Sequence, residues 1–365
     1  MTVACPDCDE PVAPDDRFCE ACGATVADGA GDDMADADEA AGTSRASDDT
    51  TCPSCGAPGS EATPDGYCGQ CGRRWSPVRE HVELVHGPLA AVCDRGTHHW
   101  RNEDAVGIAW VPVTIGTDAD DAGDDPVPGG YALVVCDGVS ASQEPHLVSQ
   151  AAADAALACL RDGVAAGDDL EEAMRAATAA AQEAAAAVPS EAGLDVGPGA
   201  CTFVAVVVRD GQAVFGQVGD SRAYWVDADG ATQIGRDDSL AAELVASGRA
   251  TPQQAMRSVG GHAITKWLGA DAGDTPPTII RRDLAGPGLV LLVSDGLWNY
   301  TPEPAELAKL VGPLGDEAPL ALARRLVAFA EESGGSDNIT VAVAPHDLDL
   351  DIVEMQTQEQ EEADA

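Results

Sequence analysis

The chain of 365 residues carries 63 Asp and Glu against 20 Lys and Arg, a formal net charge of −43, with 45% hydrophobic and 23% charged residues. At roughly 150 residues per domain, this length allows two or three domains and a sizeable core. So large a negative charge repels phosphate backbones and anionic lipid, which excludes nucleic acid and membrane surfaces as partners.

At about 1 M salt the Debye length falls to roughly 3 Å and self-repulsion is screened, so a cytoplasmic, halophilic protein is expected. The N-terminal Met1-Thr2-Val3-Ala4-Cys5-Pro6 has neither the basic start nor the apolar stretch of a secretory signal. The alanine-rich run from Ala176 to Val188 is broken by Gln182 and Glu183 and is too short to span a bilayer.

Eight of the twelve cysteines lie in the first 71 residues, as the pairs Cys5/Cys8, Cys19/Cys22, Cys52/Cys55 and Cys68/Cys71. Each Cys-x-x-Cys turn presents two thiolates to one point, and two such turns a short distance apart complete a tetrahedral four-sulfur site. Disulfides do not suit an intracellular chain, and a redox Cys-x-x-Cys normally occurs once. Two structural Zn²⁺ ions are expected, in ribbons at 1–26 and 51–75 whose cores are too small to fold without metal. This part resembles the double zinc ribbon modules attached to many archaeal and bacterial regulatory proteins. The ribbons carry few basic residues (Arg17, Arg73, Arg74), which favours a protein partner over nucleic acid. Between them, residues 27–50 hold almost no large apolar side chain and are expected to form a disordered acidic linker.

From 82 to 345 the pattern is that of one mixed α+β domain. Apolar runs predict strands at Ala105–Ile115, Tyr131–Cys136, Cys201–Val208, Ala213–Val218, Ala223–Val226, Thr278–Arg281, Leu289–Val293 and Ile339–Val343. Helices are expected at Glu144–Leu160, Leu170–Ala187, Leu240–Ser247, Pro304–Leu310 and Ala318–Ser333. Gly116–Gly129 reads as an exposed loop, Gly248–Gly261 as an irregular helix-turn flap, Arg73–Val82 as a connector and 346–365 as a frayed acidic tail. Grouped strands beside grouped helices argue for layers rather than a doubly wound sheet.

Acidic residues recur where apolar runs begin or end: Asn102-Glu103-Asp104, Cys136-Asp137-Gly138, Ser294-Asp295-Gly296 and Ser336-Asp337-Asn338. Carboxylates gathered at one sheet edge raise one another's pKa unless a divalent cation neutralises them. An all-oxygen set suits Mg²⁺ or Mn²⁺ better than zinc. Each acid alone also fits a turn or a cap; the set in order is more specific. Together with Asp94-Arg95-Gly96, Gly199-Ala200-Cys201-Thr202, Val218-Gly219-Asp220-Ser221-Arg222 and Val293-Ser294-Asp295-Gly296-Leu297-Trp298, it resembles the metal-dependent protein phosphatases of type 2C over about 260 residues.

The resemblance implies a four-layer αββα sandwich with a metal centre at one end. It implies that Asp137 bridges two Mn²⁺ or Mg²⁺ ions, that Asp295 and Asp337 complete one site, and that Glu103 and the Gly138 carbonyl serve the other. Asp104 would orient a metal-held water that attacks the phosphoryl group in line, with no phosphoenzyme. Asp220 and Asp295 match the third-metal positions of some relatives. Cys93, Cys136, Cys159 and Cys201 are then small buried residues.

Three positions depart from the family pattern. His99 stands where a phosphate-binding arginine is common, so phosphate contact passes to His99 or Arg101. Val139-Ser140 follows Asp137-Gly138 where glycine, or in some members a histidine, is common. Asn299 stands where some relatives carry a further Asp. The expected function is a Ser/Thr phosphoprotein phosphatase in signalling, acting on phosphorylated proteins, with ribbons for docking or regulation. The alternative is a catalytically weak, phosphoprotein-binding signalling adaptor.

Overall fold

The computed structural model describes residues 81–99, 101–113, 127–191, 196–258, 260–273, 275–315 and 317–347, with the strands β1 (Val3–Ala4) and β2 (Pro11–Val12). The eight ribbon cysteines, the linker at 27–50 and the chain from 348 onward lie outside the described residues. Two compact units are present, Met1–Thr51 and Cys52–Ala365. In the first, β1 and β2 pair antiparallel, Val3 with Val12 and Ala4 with Pro11. They bracket the stretch of sequence that carries Cys5 and Cys8.

The second unit opens with the strands β3 (His81–His86), β4 (Leu89–Asp94), β5 (Ala105–Val113) and β6 (Val127–Cys136). Two long helices follow, α1 (Pro145–Ala166) and α2 (Leu170–Ala187), then β7 (Ala200–Cys201), β8 (Phe203–Arg209), β9 (Gln212–Val218), β10 (Arg222–Asp227) and β11 (Gly230–Ile234). The short helices α3 (Leu240–Ala246) and α4 (Pro252–Met256) lead to β12 (Leu268–Gly269), β13 (Thr278–Asp283) and β14 (Gly288–Val293). The unit closes with α5 (Asp295–Trp298), α6 (Pro304–Val311), α7 (Pro319–Glu332) and β15 (Ile339–His346).

These strands form a six-stranded sheet of order β11-β10-β14-β15-β4-β3 and a five-stranded sheet of order β13-β9-β8-β6-β5. All pairings within both are antiparallel. The uninterrupted apolar runs are explained by burial on both faces, divided with period two. In β6, Ala132, Val134 and Cys136 face α1 and α2, whereas Tyr131, Leu133 and Val135 face the other sheet. In β14, Val290 and Leu292 join the layer between the sheets, and Leu289, Leu291 and Val293 pack with α6 and α7. Three apolar layers, each side chain contributing about 1.5–3 kcal/mol, therefore bind four layers of structure: helices, sheet, sheet, helices.

Alanine does the work of larger residues between α1 and the five-stranded sheet. Ala152, Ala153 and Ala156 of α1 and Ala177, Ala181 and Ala185 of α2 are fully or almost fully buried. Helix α2 starts where Asp169 accepts from the amides of Glu171 and Glu172, at 2.9 and 3.1 Å, a side-chain cap reinforced by two acids in its first turn.

Several local expectations change. The predicted connector Arg73–Val82 loses its last two residues to β3, because His81 pairs with Asp94 and Val82 with Cys93. The loop expected at Gly116–Gly129 gives way to strand at Val127, and its part from 116 to 126 lies outside the described residues. The flap contains α4, begun by a reciprocal cap between Thr251 and Gln254. Cys93, Cys136 and Cys201 are buried, but Cys159 is only half-buried on α1. No helix among the described residues is long and apolar enough to cross a membrane.

Candidate metal centre

Strand register puts the motif acids at one end of both sheets. Ala105 pairs with Cys136, so Glu103-Asp104 and Asp137 leave β5 and β6 side by side. Phe203 pairs with Val218, which brings Thr202 beside the turn to Asp220. In the other sheet, Arg222 pairs with Val293, Val293 with Val341 and Ile339 with Asp94. Asp295 and Asp337 therefore emerge at the same end, next to the Asp94-Arg95-Gly96 turn.

Two glycines allow these loops to meet. A side-chain carbon on Gly296 would lie 2.0 Å from the Asn338 carbonyl oxygen. Gly96, at φ 69°, would place one 2.1 Å from the Asp337 carbonyl oxygen. Either substitution would push backbone against backbone, where nothing can yield cheaply.

The six acids named from sequence, Glu103, Asp104, Asp137, Asp220, Asp295 and Asp337, form one electrostatic cluster. Burial raises the Asp137 carboxyl well above its usual range, and the charges of Asp104, Asp295, Asp337 and Asp220 raise it further. Asp104 is pushed up to about 7, mainly by burial, with Asp337 and Asp295 adding repulsion. Asp295 is pushed up to about 7 by burial and by Asp337, against hydrogen bonds with Asp137 and Asn299. Burial also raises Glu103; the Ser140 hydroxyl and the charges of His99 and Arg101 oppose this. Asp220 is raised by burial and by Asp295 and Asp237, against the pull of Arg222. Glu103, Asp104 and Asp220 are 5%, 9% and 5% exposed, while Asp137, Asp295 and Asp337 are half-buried at the mouth.

Three of the carboxylates, those of Glu103, Asp104 and Asp295, accept from a neutral side chain, and the Asp137 main chain is fixed at its amide and its carbonyl. The Ser140 hydroxyl donates to Glu103 Oε2 at 2.6 Å, and the Thr340 hydroxyl donates to Asp104 Oδ2 at 2.7 Å. The Asp137 amide donates to Thr202 Oγ1 at 3.0 Å, and the Thr202 amide donates back to the Asp137 carbonyl at 2.7 Å. Asn299 Nδ2 donates to Asp295 Oδ2 at 3.1 Å. The Gly138 amide donates to the Glu103 carbonyl at 3.1 Å, locking the two motif loops together.

Asn338 is the largest contributor that sequence reasoning left without a role. At 2% exposure it accepts from the Glu103 amide at 2.7 Å and donates to the Arg95 and Arg101 carbonyls at 2.8 and 2.9 Å. It shares this status with Ser140, Thr202 and Thr340. For Asn338, Ser140 and Thr340 the available signal was their position, within three residues of a motif acid; for Thr202 it was the Gly199-Ala200-Cys201-Thr202 motif.

The two basic candidates diverge. His99 Nε2 lies 3.1 Å from Asp337 Oδ1, inside the cluster. Arg101 is 3% exposed and turns to the first turn of α1, 3.0 Å from His146 Nε2 and 3.5 Å from Glu144 Oε2.

Among the described residues, no three His, Cys, Asp or Glu side chains are already arranged at metal-holding distances. The donor set nevertheless fits a hard divalent cation. It offers only oxygen from its acids, it is strained by its own repulsion, and Asp104 Oδ1 is buried with no hydrogen-bond partner. The ribbon cysteines Cys5, Cys8, Cys19, Cys22, Cys52, Cys55, Cys68 and Cys71 lie outside the described residues.

A two-sheet sandwich flanked by helices, with an acid cluster at one sheet end, defines a class of metal-dependent hydrolase. Comparison with known proteins narrows the class: the family described as Protein phosphatase 2C matches residues 115–327, and the chain belongs to that family. The family described as Double zinc ribbon matches residues 5–74. The serine/threonine protein phosphatase PstP of Mycobacterium tuberculosis is 31% identical over 264 residues, 70% of this chain and 44% of PstP. The serine/threonine phosphatase stp of Listeria monocytogenes is 31% identical over 161 residues, 44% of this chain and 62% of stp. The chain thus spans about half the length of the curated relatives it matches. Among solved structures, M. tuberculosis PstP/Ppp superposes with a TM-score of 0.56 at 28% identity, covering 72% of this chain and 98% of that one. The catalytic domain of PstP in complex with two manganese ions gives 0.54 at 30% identity, covering 70% and 96%.

Proposed function

We propose that this chain is a metal-dependent Ser/Thr phosphoprotein phosphatase, acting on phosphorylated proteins in signalling. The observation that carries this reading is the convergence of Glu103, Asp104, Asp137, Asp295 and Asp337 at one end of both sheets, where the charge of Asp337 raises the pKa of each of the other four. Asp137 would bridge two Mn²⁺ or Mg²⁺ ions, Asp295 and Asp337 would complete one site, and Glu103 with the Gly138 carbonyl would hold the other. Such a pair supplies an activated water and neutralises charge on a transferring phosphoryl group.

The chain's own residues do the rest. Asp104, fixed by Thr340 and with its second oxygen unpaired, is placed to hold a proton of attacking water. Ser140 and Thr202 keep Glu103 and Asp137 in register. Phosphate contact falls to His99, because Arg101 is committed to Glu144 and His146 and acts by positioning the loop that carries Glu103.

The proposed arrangement of the chain is zinc ribbons at 1–26 and 51–75, an acidic linker at 27–50, a phosphatase domain at 82–345 and an acidic tail at 346–365. The ribbons would dock or regulate through a protein partner, each on one Zn²⁺. The net charge of −43 favours a cytoplasm of high salt. Phosphate release from a phosphothreonine peptide, with Mn²⁺ and molar KCl, tests the reading. Release that EDTA and Asp137→Asn both abolish is expected. Mn²⁺ and peptide binding with no release above the variant would overturn it in favour of an adaptor.

A third cation next to Asp220 and Asp295 would meet a neutral amide at Asn299, which already bonds to Asp295. The expected stoichiometry is therefore two. Asn299→Asp adds a carboxylate there and is expected to raise Mn²⁺ bound per chain from two toward three, as read by equilibrium dialysis.

A further inference from the structure

A cavity of about 920 Å³ lies under α3 and α4, at the upper end of the size range of ligand sites. It lies beside the metal centre, and three of its lining residues adjoin the acids. Asn299 Nδ2 donates to Asp295 Oδ2 at 3.1 Å, Ser336 directly precedes Asp337, and Arg222 follows Asp220 by two residues. Tyr300, also in the lining, fastens Ser336: its hydroxyl accepts from the Ser336 amide at 3.1 Å and lies 2.9 Å from Ser336 Oγ. A peptide whose phosphoresidue reaches the acids has one flank within reach of this cavity, at about 3.3 Å per extended residue.

The lining is built, apolar in part and cationic at its edge. Arg222 lies 3.7 Å over the Trp298 ring and is held by Asp237, whose Oδ2 accepts from it at 2.7 Å; all three residues are buried. Ser239 caps α3 and pairs with Ile264, which fixes the two ends of the flap to each other. Val245 and Met256 form an apolar strip, and Val245 is one of the few large apolar side chains left exposed among the described residues. Arg236 and Arg257 edge the cavity, both are exposed, and among the described residues neither makes an ion pair. The acids of the lining are already engaged, Asp237 by Arg222, and Glu303 and Glu306 by each other's amides at the start of α6. Most other described arginines sit against a carboxylate, so two unengaged ones on one cavity stand out.

We propose that this cavity binds one flank of the phosphoprotein substrate and selects acidic residues interleaved with aliphatic ones, the carboxylates on Arg236 and Arg257 and the aliphatic side chains on Val245 and Met256. The inference rests on the phosphatase reading and supplies its substrate class. It runs against the long-range field, because a chain of net charge −43 attracts basic peptides and repels acidic ones. A preference for acidic flanks therefore has to be local.

The test gives the full chain, loaded with Mn²⁺, phosphothreonine peptides that carry Asp-Leu-Asp, Ala-Leu-Ala or Lys-Leu-Lys on one flank. One series varies the N-terminal flank and a second the C-terminal flank, and p-nitrophenyl phosphate serves as a substrate with no flank at all. In one of the two series, kcat/KM is expected to be at least ~5-fold higher for Asp-Leu-Asp than for Lys-Leu-Lys, and the difference should shrink as KCl rises. Arg236→Glu with Arg257→Glu is expected to reverse the order, with kcat/KM for the Lys-Leu-Lys peptide rising above its wild-type value. A gain of that kind cannot come from a misfolded variant. Hydrolysis of p-nitrophenyl phosphate with no order among the peptides, or with a lysine preference in the wild type, would overturn the inference and leave the phosphatase reading standing. So would an order that survives the charge reversal, or one that changes with enzyme concentration and so belongs to a second copy. Absence of release from every substrate would overturn the phosphatase reading, and this inference with it.

Discussion

Asp137→Asn is expected to stabilise the metal-free protein while removing Mn²⁺ binding. The wild-type cluster is destabilised by its own repulsion, because the folded carboxyls of Asp104 and Asp295 stand at about 7, against an ordinary value of 3.8. A raised carboxyl pKa means that the folded state binds more protons than the unfolded state between about pH 4 and 7. Metal-free stability therefore rises as pH falls through 7 toward 4, and the penalty is complete above 7. One pKa unit corresponds to about 1.4 kcal/mol, and the coupled shifts do not add. Removing one charge should thus recover on the order of 1–3 kcal/mol at pH 8 and flatten the pH dependence. Thermal melts of both proteins in EDTA from pH 4.5 to 8.5 read this directly. The same variant should lose about 10³-fold or more in Mn²⁺-dependent phosphate release, some 4 kcal/mol of barrier. Wild-type Mn²⁺ binding at pH 6.5 should release protons, visible as a buffer-dependent heat. A variant that melts lower than wild type at pH 8 would show that the carboxylates are not repelling one another.

Asn338→Ala is the second large effect. Its amide ties Glu103, Arg95 and Arg101 through three buried hydrogen bonds at 2.7–2.9 Å. Truncation leaves one buried amide and two buried carbonyls without partners, at about 1–3 kcal/mol each. A loss on the order of 3–5 kcal/mol is expected, at the top of the range for single substitutions. The loops carrying Glu103 and Asp337 would then part, so Mn²⁺ affinity should fall even where the variant remains folded. Urea unfolding with and without saturating Mn²⁺ separates the two effects: the metal's stabilising increment should shrink along with the baseline. An unchanged increment would confine Asn338 to the fold.

The acids were legible in sequence because chemistry and local structure coincide there. Asp137 and Asp295 each end an apolar run that can only be a buried strand, and each precedes a glycine. The layers were legible for a similar reason, since β6, β8, β14 and β15 are apolar on both faces. The edge strand β3 was not, because His81 and Glu83 turn outward and its pattern resembles a connector. The direction of Arg101 was also hidden. It depends on Glu144 and His146, more than forty residues away, and not on the spacing to Asp104. The same holds for Asn338, whose three partners lie more than 230 residues upstream.

Asp137 is expected to join two cations inside one cluster of carboxylates. Electron paramagnetic resonance of the full chain, zinc-loaded and then given two equivalents of Mn²⁺, tests it most directly. Two Mn²⁺ ions about 3.5–4 Å apart on a shared carboxylate should give the broad, exchange-coupled signal of a spin pair, and Asp137→Asn should abolish it. A six-line spectrum of isolated bound Mn²⁺, or free Mn²⁺ alone, would contradict the account.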